Sequence, residues 1–148
     1  MLSSSKKLFS TITKSIKSPI NITSNAWDKM KKIIKSEESN GSDGYESFLF
    51  SANSGGCNGF NYDLKLIKEN EYNEIMNSNK IKPTIIQCIA LDSTKLIIDP
   101  VAEMLLLGTT IDYVSEDFSK GIFENKFTFT PDKKLATSCG CGVSFNPR

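Results

Sequence analysis

Apolar and polar positions along this chain change their spacing several times, and each change marks an element. From Asn21 onward Trp27, Met30, Ile33 and Ile34 fall on one helical face, with Lys29, Lys31, Lys32 and Lys35 on the other. Thr23 or Ser24 stands where a side-chain oxygen accepts a free N–H at the helix start. The polar run 36–44 predicts the end of that helix and a loop. From Tyr45 the period becomes two: Glu46, Phe48 and Phe50 alternate with Ser47, Leu49 and Ser51. After a glycine-rich turn, Tyr62, Leu64 and Leu66 alternate with Asn61, Asp63 and Lys65, which predicts a hairpin with one buried and one wet face on its second strand.

Further along the signals are shorter. Residues 68–83 are polar and read as a long loop or a short helix. Thr84 to Leu91 is an almost continuous apolar run, Lys95 to Ile98 continues as strand, and Asp99-Pro100 breaks it. Val101 to Leu107 suits a short helix ended by Gly108. Ile111 to Val114 and Lys126 to Thr130 complete the pattern, the latter with Phe127 and Phe129 inward and Pro131 as its stop. The sum is five or six strands and two short helices, a mainly β (α+β) domain over residues 21–148 without internal repeat.

Composition narrows the chemistry. With 148 residues, 39% apolar and 24% charged, the chain suits one soluble globular domain. A net charge of +1 gives no reason to expect nucleic acid as a partner, and no apolar run approaches the roughly 20 residues that cross a bilayer. Histidine is absent, which excludes Ser-His-Asp and Cys-His catalytic units, mixed Cys/His zinc sites and Rieske-type ligation. A transition metal held by side chains here relies on thiolates, with carboxylates as auxiliaries. Four cysteines are too few for a disulfide-stapled secreted domain of this length, so a reducing compartment is expected.

Residues 1–20 stand apart. Lys6, Lys7, Lys14 and Lys17 are uncompensated by any acid before Asp28, six serines intervene by Ser18, and Leu8, Ile12 and Ile16 recur every four residues. This basic amphipathic pattern reads as a possible mitochondrial transit peptide, which predicts the matrix as destination. If the segment is only a solvated extension, a cytoplasmic protein is expected.

Three cysteines sit among glycines: Cys57 in Gly55-Gly56-Cys57-Asn58-Gly59-Phe60, and Cys139 and Cys141 in Cys139-Gly140-Cys141-Gly142. Glycine leaves backbone free to bend around a bound atom, and Gly56, Gly59, Gly140 and Gly142 supply that freedom. Cys139 and Cys141 are too close in sequence for an ordinary disulfide between them. Iron, or an iron–sulfur cluster, is the chemistry these thiolates suit, yet clusters normally take four thiolates and one chain offers three. The missing ligand calls for a second chain, a small thiol or an exchangeable position. Such incompleteness suits a protein that accepts a cluster and gives it away. Two other classes stay open: a structural or regulatory zinc module with Asp63 or Glu124 as fourth ligand, and a thiol oxidoreductase cycling Cys139 and Cys141. Asn-Gly at 58–59 also suits a plain hairpin turn with an incidental cysteine. Cys88, inside Ile85-Ile86-Gln87-Cys88-Ile89, reads as core filler.

The residues at these positions, in this order, carry a resemblance. Ile-Thr-Ser-Asn-Ala (22–26), Gly-Gly-Cys-Asn-Gly-Phe (55–60), Tyr-Asp-Leu (62–64), Gly-Thr-Thr-Ile-Asp-Tyr (108–113), Phe-Thr-Phe (127–129) and Cys-Gly-Cys-Gly-Val-Ser-Phe (139–145) resemble the A-type iron–sulfur cluster carriers of the HesB/IscA family. The resemblance implies a compact flattened β-sandwich with an N-terminal helix and a short second helix, assembling as a homodimer or tetramer, or as a heterodimer with a paralogous carrier. It implies Cys57, Cys139 and Cys141 as ligands of a [2Fe-2S] or [4Fe-4S] cluster, or of iron, in a protein that is not an enzyme. It also implies an upstream scaffold or glutaredoxin as donor and apo iron–sulfur proteins as recipients, with neither nucleic acid nor membrane as partner. The stretch 68–83 departs from a compact member in its length.

Overall fold

The computed structural model describes residues 18–41, 44–55, 59–78, 80–88, 94–138 and 144–148. The transit-like reading of residues 1–20 therefore falls almost wholly outside the described residues. Strand β1 (Asn21–Ile22) leads into helix α1 (Ser24–Ser39). Thr23 is its N-cap: the Ala26 N–H donates to Thr23 Oγ1 at 3.2 Å, and that hydroxyl donates to Asp112 Oδ1 at 2.5 Å. One threonine thus closes the helix start and ties it to a distant strand. Ala26, Trp27 and Met30 are buried along the apolar stripe, while Ile33 and Ile34 pack at its margin. The helix runs on to Ser39, beyond the expected break at residue 36. Serine hydroxyls at Ser36 and Ser39 donate back to the Ile33 and Lys35 carbonyls, so the polar run sits on the helix.

Strands β2 (Tyr45–Ser54) and β3 (Phe60–Lys68) form the expected hairpin. Helix α2 (Glu69–Ser78) follows, then β4 (Thr84–Gln87), β5 (Lys95–Ile98), the single-turn α3 (Glu103–Leu106), β6 (Thr110–Val114), a 3₁₀ turn (Phe118–Lys120) and β7 (Lys126–Thr130). Two strands close the chain, β8 (Ala136–Ser138) and β9 (Ser144–Pro147). A six-stranded sheet has the order β4-β5-β2-β3-β9-β8, and a three-stranded sheet the order β1-β6-β7. The ladders β2–β5 and β1–β6 are parallel and all others are antiparallel.

The core lies between the two sheets, under α1. Phe48, Phe50, Tyr62, Leu96, Ile98, Ile111 and Phe145 are buried there. The rings of Phe50 and Tyr62 on the large sheet stack on Phe129 of the small one, at centroid distances of 5.5 and 5.1 Å. The opposite face of the large sheet is covered as well. Ile67 and Ile97 are fully buried outside the main cluster, and Ser47 is buried beside Tyr72 of α2. That explains why the second face of β2 is dry although the sequence writes serines on it. Helix α2 presents Tyr72, Ile75 and Met76, at helical spacing and half-buried. The polar stretch 68–83 is thus mostly helix.

A candidate cluster site at the β3–β9 junction

The site is built from the ends of four strands. The β2–β3 ladder runs to the pair Ser54 and Phe60, and the Gly55 N–H donates to the Gly59 carbonyl at 2.7 Å. This closes the hairpin around residues 56–58. On the other side of β3, Phe60 pairs with Phe145 and Asn61 with Ser144. Strand β8 then pairs with β9, from Ala136–Pro147 to Ser138–Phe145. The sequence shows no strand here: β8 and β9 are three and four residues long, and only Ala136 and Phe145 are buried. Their stability comes from the sheet they join, so the C-terminal segment is part of the fold and not a tail.

Cys57, Cys139 and Cys141 lie outside the described residues, as do Gly56, Gly140 and Gly142. The described residues fix where their segments attach. Gly55 and Gly59 flank the first, and Ser138 and Ser144 flank the second. Strand register puts these flanks on neighbouring strands, but at different levels of β9. Gly59 lies against Asn146, whereas residues 139–143 depart from Ser138 and return at Ser144. At ~3.3 Å per residue, Gly59 is offset along the strand by about 7 Å from Ser144 and by about 3 Å from the level of Ser138, which pairs with Phe145.

Close packing surrounds the glycines. A Cβ on Gly59 would meet the Asn146 Oδ1 and stand 2.7 Å from the Phe145 carbonyl oxygen. A Cβ on Gly55 would stand 2.7 Å from Asn61 Oδ1. Asn61 Oδ1 in turn accepts the Ser144 hydroxyl at 2.5 Å. Asn61, Ser144, Phe145 and Asn146 are contributors that sequence reasoning missed. Asn61 is legible in the sequence only as a wet-face strand residue.

Beneath the junction lies a stack of rings. Phe145 is 1% exposed, with its centroid 4.3 Å from that of Tyr62 and 5.9 Å from that of Phe60. Burial pushes the Tyr62 phenol above its ordinary pKa of 10.0, against a smaller opposing effect of Thr109. Thr109 is its polar neighbour but does not reach hydrogen-bonding geometry, so the Tyr62 hydroxyl is buried without a partner. The packing behind the β3–β9 junction is therefore dry and aromatic.

The auxiliary carboxylates are otherwise engaged. Asp63 Oδ2 accepts a long hydrogen bond from Asn53 Nδ2 at 3.3 Å. Glu124 pairs with Lys126 at 2.7 Å on the surface, and the hydrogen bond and charge of that lysine hold its carboxyl below the usual range. Among the described residues no three His, Cys, Asp or Glu side chains are grouped to hold a metal ion. Cys88 is a free, half-buried thiol packed against the core, with its N–H donating to the Thr94 carbonyl at 3.2 Å. An open groove of about 480 Å³ runs between α1 and the end of β6, past Lys29, Asp112 and Asp117, and no flank of a cysteine segment lines it.

No protein-family model matches the chain. An iron-sulfur cluster insertion protein, ErpA of Buchnera aphidicola, is 34% identical over 132 residues, covering 88% of this chain and 98% of that protein. Among solved structures, Escherichia coli SufA, involved in biosynthesis of iron-sulfur clusters, superposes with a TM-score of 0.59 at 22% identity, over 86% of this chain and 91% of SufA. IscA with a [2Fe-2S] cluster gives 0.58 at 18% identity, over 87% and 98% of the two chains. At such identities these two likenesses speak for the fold, and the ErpA relationship spans nearly the whole of both chains. The chain belongs to the HesB/IscA family of A-type iron–sulfur cluster carriers.

Proposed function

We propose that this protein is a non-enzymatic carrier in iron–sulfur cluster assembly. It takes a [2Fe-2S] or [4Fe-4S] cluster, or iron, on Cys57, Cys139 and Cys141 and passes it to apo-proteins. The observation that carries this reading is the β3–β9 register, Phe60 with Phe145 and Asn61 with Ser144. It joins two segments far apart in sequence, each carrying thiols among glycines. Covalent reach does the rest: two residues span at most about 7 Å, so Cys57 stays that close to Gly59 and Cys139 is bonded directly to Ser138. The relative named as a cluster insertion protein, and the neighbour solved with a [2Fe-2S] cluster, support the choice of cargo.

Three thiolates leave one position of a four-thiolate shell to be filled. The offset of Gly59 from Ser144 along β9 favours filling it from a second copy or a paralogous chain. Each sulfur must be deprotonated to bind, so loading weakens as pH falls. Donors would be a scaffold or glutaredoxin, and recipients apo iron–sulfur proteins. Residues 1–20 would direct the chain to the mitochondrial matrix, which an import assay reads as cleavage of that segment.

Anaerobic loading with ferrous iron and sulfide, followed by transfer to an apo-ferredoxin, tests the reading. Loading should bring visible absorption, and Cys57→Ser, Cys139→Ser and Cys141→Ser should each lose loading or transfer. Full loading and transfer by all three variants refutes the assignment. A protein that stays colourless and binds zinc through the same thiols would favour the zinc module instead.

A further inference from the structure

One side chain touches the flanks of both cysteine segments. Asn61 stands on β3 opposite Asn53 of β2 and opposite Ser144 of β9. Its Oδ1 accepts the Ser144 hydroxyl, and Ser144 is the residue at which the segment holding Cys139 and Cys141 returns to the sheet. The same amide fills the space over Gly55, with Oδ1, Cγ and Nδ2 at 2.7, 2.9 and 3.0 Å from the position of a Cβ there. Gly55 is the residue from which the segment holding Cys57 departs.

The backbone alone ties these flanks weakly. Among the described residues the β3–β9 ladder has two register pairs, and Ser144 stands in the one nearer the C-terminal cysteine segment. A side-chain bond at that pair sets where the C-terminal segment begins relative to the hairpin. An amide is suited to this task. It accepts the serine proton and packs flat over a glycine, and it adds no negative charge beside thiolates that must themselves be anionic.

We propose that Asn61 is a positioning residue of the cluster site, clamping the two cysteine segments at one relative setting through Gly55 on one side and Ser144 on the other. This rests on the carrier reading. Its test uses the full chain with Asn61→Ala, Ser144→Ala, the double variant and Ser144→Thr, each loaded anaerobically with ferrous iron and sulfide. Three quantities are read: the visible circular dichroism of the bound cluster, the half-time of iron loss to a ferrous chelator, and the unfolding midpoint of the metal-free protein.

Asn61→Ala and Ser144→Ala should each alter the dichroism and shorten the half-time about fivefold, the scale of one hydrogen bond. The double variant should be no worse than the more affected single one, because both remove the same link. Ser144→Thr, which keeps the hydroxyl, should restore the wild-type spectrum. Unchanged dichroism and half-time in the single variants overturn the proposal, including the case where only the midpoint falls. Should Asn61→Ala not fold, Ser144→Ala decides alone, since it removes one hydroxyl from a half-buried strand residue. Failure of the carrier reading looks different: the wild-type chain takes up no coloured cluster, or the cysteine variants keep it, and the clamp then falls with it.

Discussion

Gly55 and Gly59, four residues apart and joined by one backbone hydrogen bond, should respond very differently to the same methyl group. In Gly59→Ala the new Cβ stands 2.7 Å from the Phe145 carbonyl oxygen and against Asn146 Oδ1. An ordinary carbon–oxygen contact needs about 3.3 Å, so β9 must retreat by roughly 0.6 Å. Retreat is resisted because the Phe145 ring is buried and stacked on Tyr62. Overpacking of this kind costs about 1–3 kcal/mol. In Gly55→Ala the atoms nearest the Cβ all belong to the Asn61 side chain, which can turn aside at the expense of its bond to Ser144, about 1 kcal/mol. Neither glycine has the left-handed φ that would add strain, so each substitution also gains about 0.4–1 kcal/mol from a stiffer unfolded chain. Gly55→Ala should come out near neutral and Gly59→Ala about 1.3 kcal/mol destabilised. At ~2–4 °C per kcal/mol for a chain of this size, the second loses about 3–5 °C in thermal midpoint. Thermal and urea unfolding of the metal-free proteins measure both. Equal midpoints for the two variants, or a Gly59→Ala protein as stable as wild type, would refute the packing argument.

Phe145→Ala should cost about 3–5 kcal/mol and make the β8–β9 hairpin the first site cut in limited proteolysis, since Phe145 is the main apolar anchor of those strands. Tyr62→Phe removes a buried hydroxyl with no partner and should be neutral or stabilising by about 1 kcal/mol in denaturant unfolding. Because burial raises the folded pKa of Tyr62 above 10.0, wild type keeps its full stability below pH ~10 and loses some as pH climbs toward the folded value, where ionisation favours the unfolded chain; Tyr62→Phe should therefore lose less stability than wild type above pH 10. Thr23→Ala removes the α1 cap and the link to Asp112 and should cost about 1–2 kcal/mol, with Thr23→Ser retaining most of it in the same thermal assay.

What the sequence made legible were elements whose local pattern and tertiary role agree. The cap at Thr23, the Trp27–Met30 stripe and the β2–β3 hairpin are of this kind, because one apolar face per element points to one core. The alternation along β2 did not reveal that Ser47 and Ser51 are buried as well, Ser47 beside Tyr72 of α2. Helix α2 was one of two alternatives for the polar stretch 68–83, which its asparagines and glutamates left undecided between loop and helix. Strands β8 and β9 are too short for a period of two to emerge, and the β3 partner of β9 lies far away in sequence. The three cysteines stand out in the sequence by residue type and glycine company, and they lie outside the described residues. Asn61 does not stand out, because its task depends on a register that no local window contains.

The register that joins Phe60 to Phe145 also orders events in time. Phe60 leaves the ribosome well before its partner: at roughly 5–20 residues per second, β9 follows on the order of ten seconds later. During that interval the edge of β3 beside Cys57 has no neighbour, and Cys139 and Cys141 do not yet exist. A nascent chain accordingly cannot assemble the junction piecemeal, and under the proposed ligand set a metal that met Cys57 early would find one of the three thiols. Competence to hold a cluster is thereby made contingent on nearly complete synthesis of the domain.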